Sequence, residues 1–489
     1  MSFHKLGYIL LGIGTFIITA SLSLDLFSIG KGGIGGAQIY LINIGTAVTL
    51  FGIGLAIGKQ NKKIQCNWLE KINKVLNFPN IIWVISGFSI SYFLFMISPI
   101  FFASTERMAY FNKYLPDRSP IGIDFISILA SISNWFEIGS STILYPPLLT
   151  IIFAPLSQIN YPLNYYIITT ATIVSFFIFT LLLPFLIVQK ENQPIVLFIF
   201  GTSIFSYGLQ FELERGQFHT IAIMLCLLSV YLFHKHPSQR FFAYIFFCVS
   251  VQFKIYPALF FVLLVDDWRN WKENIKRFFS LGIINFLLLF LLGFNYFSDF
   301  LDGITQTFSV PSETWNGNHS INAFVDNLLL NGIGILRMEW LDWVRTHDNF
   351  LKNLLLAYFL VCFFTIWINS YRRNKCGIDS TLLMACVMGG LLIPTVNHDY
   401  TLPLLAAPFI LVVSEKYSTD IKKRLAAIVL LVISSFVYFI TLLPFIYKPE
   451  YLQNSFPLLI ILLTASTLLS FLVDAPNKNQ PISNATLIG

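Results

Sequence analysis

The chain has 489 residues, 56% of them hydrophobic and only 11% charged, with a mean hydropathy of +0.70. That composition excludes a soluble globular protein and a disordered one, and predicts an all-α polytopic membrane protein. The net charge of +6 is assigned to cytoplasmic loops rather than to nucleic-acid binding, and the six cysteines show no CxxC or Cys/His ligand spacing, so neither a disulfide framework nor a zinc site is expected.

The first apolar run lacks a small-x-small cleavage site and reads as a retained helix. Spans are predicted at 7–24 and 37–58 around a glycine-rich loop holding Gly30, Gly32, Gly33, Gly35 and Gly36. No strand precedes that loop and no GK[ST] is present, so it is not a phosphate loop. The loop 59–75 carries Lys59, Lys62, Lys63, Lys71 and Lys74 and belongs in the cytoplasm, with the N-terminus on the same side. Residues 1–78 thus form an extra helix pair with a basic loop, 79–473 a transmembrane catalytic domain, and 474–489 a polar cytoplasmic tail. Span 81–103 then delivers Asp124 to the outside.

A carboxylate costs about 2.5–3.5 kcal/mol at the centre of a membrane helix, so Asp124 implies a role or a watery pocket. The bland alternative is a helix-capping Asp before Phe125-Ile126-Ser127. Tyr145-Pro146-Pro147 follows, and prolines are tolerated at the first turn of a helix but not in its interior. Leu148–Ser157 is therefore expected as a helix of about ten residues, half of the roughly 20 needed to cross a bilayer. Two topologies compete, according to whether this helix crosses or lies along the outer interface. The second fits the charges better: 165–188 returns inward, 194–211 goes out, 217–234 comes back, and His234–Arg240 is cytoplasmic. Arg215 and Gln217 then share the outer face with Asp124.

The segment 240–265 must leave and return, because the next loop, Asp266–Arg277, is basic and belongs inside. Twenty-six residues cannot make two full crossings, whereas two half-helices broken at Lys254-Ile255-Tyr256-Pro257 can, where they line a polar cavity. The alternative is one crossing with Lys254 snorkelling. Further spans are predicted at 278–297, 349–369, 378–395, 397–414, 425–443 and 457–473, for a total of about 12–14 transmembrane helices. The loops at Arg372–Lys375 and Lys416–Arg424 fall inside. The long segment 298–348 falls outside, and Trp315, Trp340 and Trp343 argue that it folds onto the interface. Pro394–Tyr400 makes an outer turn.

Five polar groups are thus expected to converge on one outer face, Asp124, Arg215/Gln217, Lys254, Asn318/Ser320 and His398/Asp399, with Asp124, Gln217, Lys254 and His398 lining a single outward-facing cavity open laterally to lipid. Cations beside lipid suit an anionic headgroup on a long tail, while Asp124 suits proton abstraction from a nucleophile. The bland readings are a helix–helix hydrogen bond for Gln217, a turn and cap for His398 and Asp399, and loop shaping for Asn318 and Ser320. There is no GxSxG, HExxH or EF-hand pattern to support a hydrolase triad or metal catalysis.

The order D-F, L-Y-P-P-L, A-P-L, G-Q before a helix, K-x-Y-P-A-L-F, W-N-x-N-x-S and I-P-x-x-x-H-D-Y resembles glycosyltransferase family 87 of the GT-C superfamily, the polyprenyl-phosphate-mannose-dependent mannosyltransferases. The likeness runs from Ile121 to Phe409. It implies a GT-C-like bundle with two large outer loops, a catalytic Asp carried onto Asp124, and donor or acceptor contacts from Tyr145, Arg215, Gln217, Lys254, Asn318, Ser320, His398 and Asp399. It also implies no metal and no cofactor, the lipid-linked sugar being substrate, and a setting in the bacterial inner (plasma) membrane with the site facing outside. The implied reaction inverts the anomeric carbon, with Asp124 as base and Lys254, Arg215 or His398 stabilising the leaving polyprenyl phosphate. Phe218-His219 departs from the family pattern after Gln217, as does the extra N-terminal pair. The rival class is a polyprenyl-lipid or glycolipid flippase, which a broken helix and an intramembrane lysine would suit, although no internal repeat supports it.

Overall fold

The computed structural model describes residues 121–139, 143–204, 206–309, 317–331, 346–374, 377–416 and 454–471, with a few scattered positions besides. The expected spans at 7–24, 37–58, 81–103 and 425–443, the basic loop 59–75, the tail, and Trp315 and Trp340 lie outside the described residues. Among those described, every regular element is a helix, and the only extended pairing is an isolated bridge between Asn318 and His398.

Helix α1 (Ile123–Ile138) is bounded by Gly122 and Gly139, both left-handed. Helix α2 (Pro147–Ser157) starts with Pro147 at its first position, where the missing N–H has no partner to lose. At 11 residues it is about 16 Å long and does not cross. Phe153, at its centre, meets Phe125, Phe218 and Phe253 edge-on at 5.5, 5.0 and 6.0 Å, so α2 is an aromatic wedge beneath the site rather than a span.

Helix α3 (Leu163–Ile187) is long and apolar enough to span. It contains a π turn at Ile178–Leu182, just before Pro184, whose absent N–H the widened turn accommodates. The predicted span 194–211 is instead two helices. α4 (Gln193–Ile204) stops, and Ser206 caps α5 (Tyr207–Arg215) by accepting from the Leu209 N–H. Gln210, Glu212, Glu214 and Arg215 make α5 too polar to continue α4 through lipid. It turns by 115° into α6 (His219–Lys235).

α6 and α7 (Arg240–Phe253) pack antiparallel, sewn by Ser229 to the Ala243 carbonyl and Ser250 to the Ala222 carbonyl, both at 2.7 Å. Small hydroxyl residues let the two backbones approach closely. Lys254 ends α7 in extended conformation, and Tyr256–Leu263 returns as a 3₁₀ helix. The Leu263 carbonyl meets His234 at 2.8 Å, and Asp266 pairs with Arg240 at 2.8 Å, so the segment leaves and comes back to its starting end. That geometry excludes the single crossing with a snorkelling lysine.

The expected span 278–297 also differs. α8 (Trp271–Leu288) begins inside the predicted loop, because Lys272, Glu273, Lys276 and Arg277 are good helix formers, and it ends before a 100° bend at left-handed Gly293. α9 (Gly293–Ser309) then lies against α1, with the Trp135 indole donating to Asp299 at 3.1 Å. α10 (Ile321–Asn331) is tied to α11 (Asp348–Arg373), a second long apolar helix, by Lys352 and Asp326 at 2.6 Å. α12 (Ser380–Leu392) is capped by Asp379. The expected span 397–414 is shortened to a 3₁₀ turn, Asp399–Leu405, containing Pro403, followed by α13 (Ala406–Lys416). α14 (Phe456–Phe471) completes the described chain. Against the 12–14 crossings expected for the whole chain, the described residues contain two helices long and apolar enough to cross, α3 and α11, and two sharply bent pairs, α5–α6 and α8–α9, with α2, α12 and α14 as shorter apolar helices.

The bundle has two distinct poles. At one, Asn192 bonds Ser414, Ser380 bonds Glu415, Arg373 pairs with Asp379, and Asn374 bonds Asp267. This pole gathers Lys190, Lys235, Arg240, Lys272, Arg277, Arg372 and Arg373. The opposite end of α6 carries the site.

Candidate active site

The site begins with two glycines. The Gly122 N–H donates to the Glu214 carbonyl at 2.6 Å, joining the start of α1 to the end of α5. A Cβ on Gly216 would lie 2.8 Å from the Phe125 Cβ and 3.1 Å from the Gly122 Cα, and Gly216 is left-handed at φ +70°. Two helix ends meet here with no room for side chains. Tyr165 closes the joint by donating from its hydroxyl to the Leu213 carbonyl at 2.8 Å.

This joint sets Asp124 opposite Arg215. The guanidinium grips the carboxylate through both arms, Nη2 to Oδ1 at 2.7 Å and Nε to Oδ2 at 2.8 Å. Gln217 adds a third hydrogen bond, Nε2 to Oδ2 at 2.6 Å. A carboxylate offers about four lone-pair positions, so Oδ1 retains one for an incoming hydroxyl. The other end of the Gln217 amide, Oε1, accepts from Lys254 Nζ at 3.5 Å. Lys254 also reaches the Tyr145 hydroxyl at 3.5 Å and sits over the rings of Tyr145 and Phe218 at 4.8 and 4.7 Å. Tyr145, on the segment between α1 and α2, has its phenol pushed above its ordinary range by burial and then by Asp124, so it stays a donor. Its carbonyl accepts from the Tyr296 hydroxyl at 3.0 Å, through which α9 holds it in place.

The single expected cavity is replaced by two adjoining ones. The larger, about 320 Å³, is lined by Gln217, His219, Lys254, Tyr256, Asn397 and Tyr400. The smaller, about 220 Å³, is lined by Asp124, Ser127, Ser131 and Thr150. Tyr145 and Gln217 line both and form the partition between them. Asp124 and Lys254 therefore face different chambers while sharing one glutamine.

The remaining predicted residues stand behind this lining. Asn318 Oδ1 accepts from the Asn397 and Ser320 N–H groups at 3.0 and 3.2 Å, and the Ser320 hydroxyl donates to the Thr395 carbonyl at 2.9 Å. Asp399 is buried against His319 at 3.2 Å and accepts from Ser455 at 3.1 Å. These residues clamp the 317–320 segment to the 395–399 turn, beside which Asn397 and Tyr400 line the larger cavity. The His398 ring is buried edge-on against Tyr400 at 5.3 Å. Sequence reasoning missed His219, Tyr256, Asn397 and Tyr400 as lining, although the last three lie within motifs it used and His219 was noted as a departure from the pattern. It also missed Ser127 and Ser131, which helical spacing from Asp124 places on the same face.

The described residues thus form a helical bundle with a carboxylate, an ammonium and two adjoining cavities at one end. The model of glycosyltransferase family 87 matches residues 143–395, just over half the chain, and the protein belongs to that family. The match starts after Asp124, so the carboxylate joins the matched segment through the Gly122–Gly216 contact. No curated protein and no solved structure matches the chain.

Proposed function

We propose that this glycosyltransferase moves a sugar, mannose by family resemblance, from a polyprenyl phosphate to a lipid or glycan hydroxyl, at the membrane face opposite the basic pole. By the positive-inside rule that face is the outer one of a bacterial plasma membrane. The observation that carries the reading is the Asp124–Gln217–Lys254 relay across two adjoining cavities.

In this reading the donor phosphate lies in the larger cavity beside Lys254, the nearest cation whose charge no carboxylate contacts. The acceptor hydroxyl gives its proton to Oδ1 of Asp124 as its oxygen attacks the anomeric carbon. The bond from that carbon to the phosphate oxygen breaks, and its electron pair leaves with polyprenyl phosphate, whose charge Lys254 stabilises. A single displacement inverts the anomeric carbon. Arg215, engaged on both carboxylate oxygens, orients the base instead of holding the phosphate. No metal or cofactor enters the scheme.

The test is transfer of label from radiolabelled polyprenyl-phosphate sugars by the purified protein in lipid nanodiscs. Removing a general base costs typically 10²–10⁴ in rate, so Asp124→Asn is expected to lose transfer by about that factor with its thermal unfolding preserved. An Asp124→Asn variant as active as the unsubstituted protein refutes the assignment.

A further inference from the structure

The smaller cavity has no cation in its lining. Arg215, outside that lining, donates to Asp124 through Nη2 and Nε. Asp124, Ser127 and Ser131 follow one another at i, i+3 and i+7 on one face of α1, setting a carboxylate and two hydroxyls in a row. The Ser127 hydroxyl donates to the Ile123 carbonyl at 2.9 Å, so it offers its lone pairs to a ligand. The Ser131 hydroxyl lines the same cavity and can donate or accept. Ile128 and Ile132 supply apolar walls beside them.

A phosphate in this space would find no cation in the lining to offset its desolvation, because the Asp124 charge is already paired with Arg215. A neutral polyhydroxyl ring meets donors, acceptors and apolar faces instead. The volume of about 220 Å³ suits one ring rather than several, since sites for larger ligands run roughly 300–1,000 Å³. We propose that the smaller cavity is the acceptor site, and that it takes an uncharged sugar or polyol whose hydroxyls are held by Ser127 and Ser131 beside Asp124. This rests on the transferase reading above.

The test uses the full chain in nanodiscs with a polyprenyl-phosphate sugar and two acceptors, an alkyl glycoside and the same glycoside phosphorylated on its ring. The neutral glycoside is expected to have at least a tenfold higher kcat/KM. Ser131→Leu, which fills the cavity, is expected to raise acceptor KM about tenfold, and Ser131→Ala about threefold, as loss of one hydrogen bond predicts, with donor KM moving in neither. Should Ser131→Leu fail to fold, Ser131→Ala decides. A preference for the phosphorylated acceptor overturns the proposed class, and an acceptor KM indifferent to both substitutions overturns the location. Donor consumption that Asp124→Asn does not slow overturns the transferase reading itself, which separates the two failures.

Discussion

Arg215 and Lys254 are both cations near one carboxylate, yet their geometry gives them different work. Arg215 matches Asp124 with a planar fork, which lysine cannot reproduce. Arg215→Lys should therefore lower kcat by roughly ten- to a hundredfold, the loss of one charge-assisted hydrogen bond, and leave donor KM nearly unchanged. A rise in donor KM with kcat preserved would return Arg215 to the phosphate. Lys254 meets only neutral partners, two aromatic rings, a phenol and an amide oxygen. Lys254→Met should raise donor KM by roughly ten- to a hundredfold, while Lys254→Arg retains part of the function. Donor titration of the purified variants decides it, and an unchanged affinity in Lys254→Met would leave Lys254 as ordinary structure. The sequence marks Lys254 plainly, because a lysine before Ile255-Tyr256-Pro257 in an apolar run is costly without a polar cavity. It does not mark the partner of Arg215, which lies 91 residues away.

At the scale of elements, short helices build the site and long ones frame it. α2, α5 and α9 do not run on as spans, and each sets one group: α2 the aromatic wedge under Lys254, α5 the arginine, and α9 the Tyr145 carbonyl. The Gly122–Gly216 contact is the joint on which they depend. Gly216→Ala forces a side chain into the left-handed region, at a cost of about 1–2 kcal/mol, and pushes its Cβ into Phe125. The expected result is a lower unfolding temperature together with loss of transfer, because α1 and Asp124 must withdraw from Arg215. A Gly216→Ala protein with normal activity would show that the joint is not needed. The Pro-Pro start of α2 and the break at Lys254 are legible in sequence, since proline acts locally. The bend at Gly293 is not, because an apolar run leads into it and only packing against neighbours decides that the chain turns.

For the whole molecule, the two poles make a prediction about orientation. On a background without native cysteines, Glu137→Cys near the site should react with an impermeant maleimide added outside intact cells, and Ser238→Cys at the basic pole should not. The reverse pattern would invert the proposed orientation. Both positions are exposed, so burial does not blur the result. Composition alone determined that this chain lives in a membrane and is helical, because a backbone in lipid must satisfy its own hydrogen bonds. The motif order pointed to the family. Tertiary structure alone decided that Asp124 is gripped by Arg215, that Gln217 joins it to Lys254, and that the polar space divides into two chambers. Those facts rest on contacts between residues 91, 93 and 37 positions apart. Local propensity does not encode such distances; they follow from two glycines that let helix ends touch and from aromatic rings that fix the angle at which they meet.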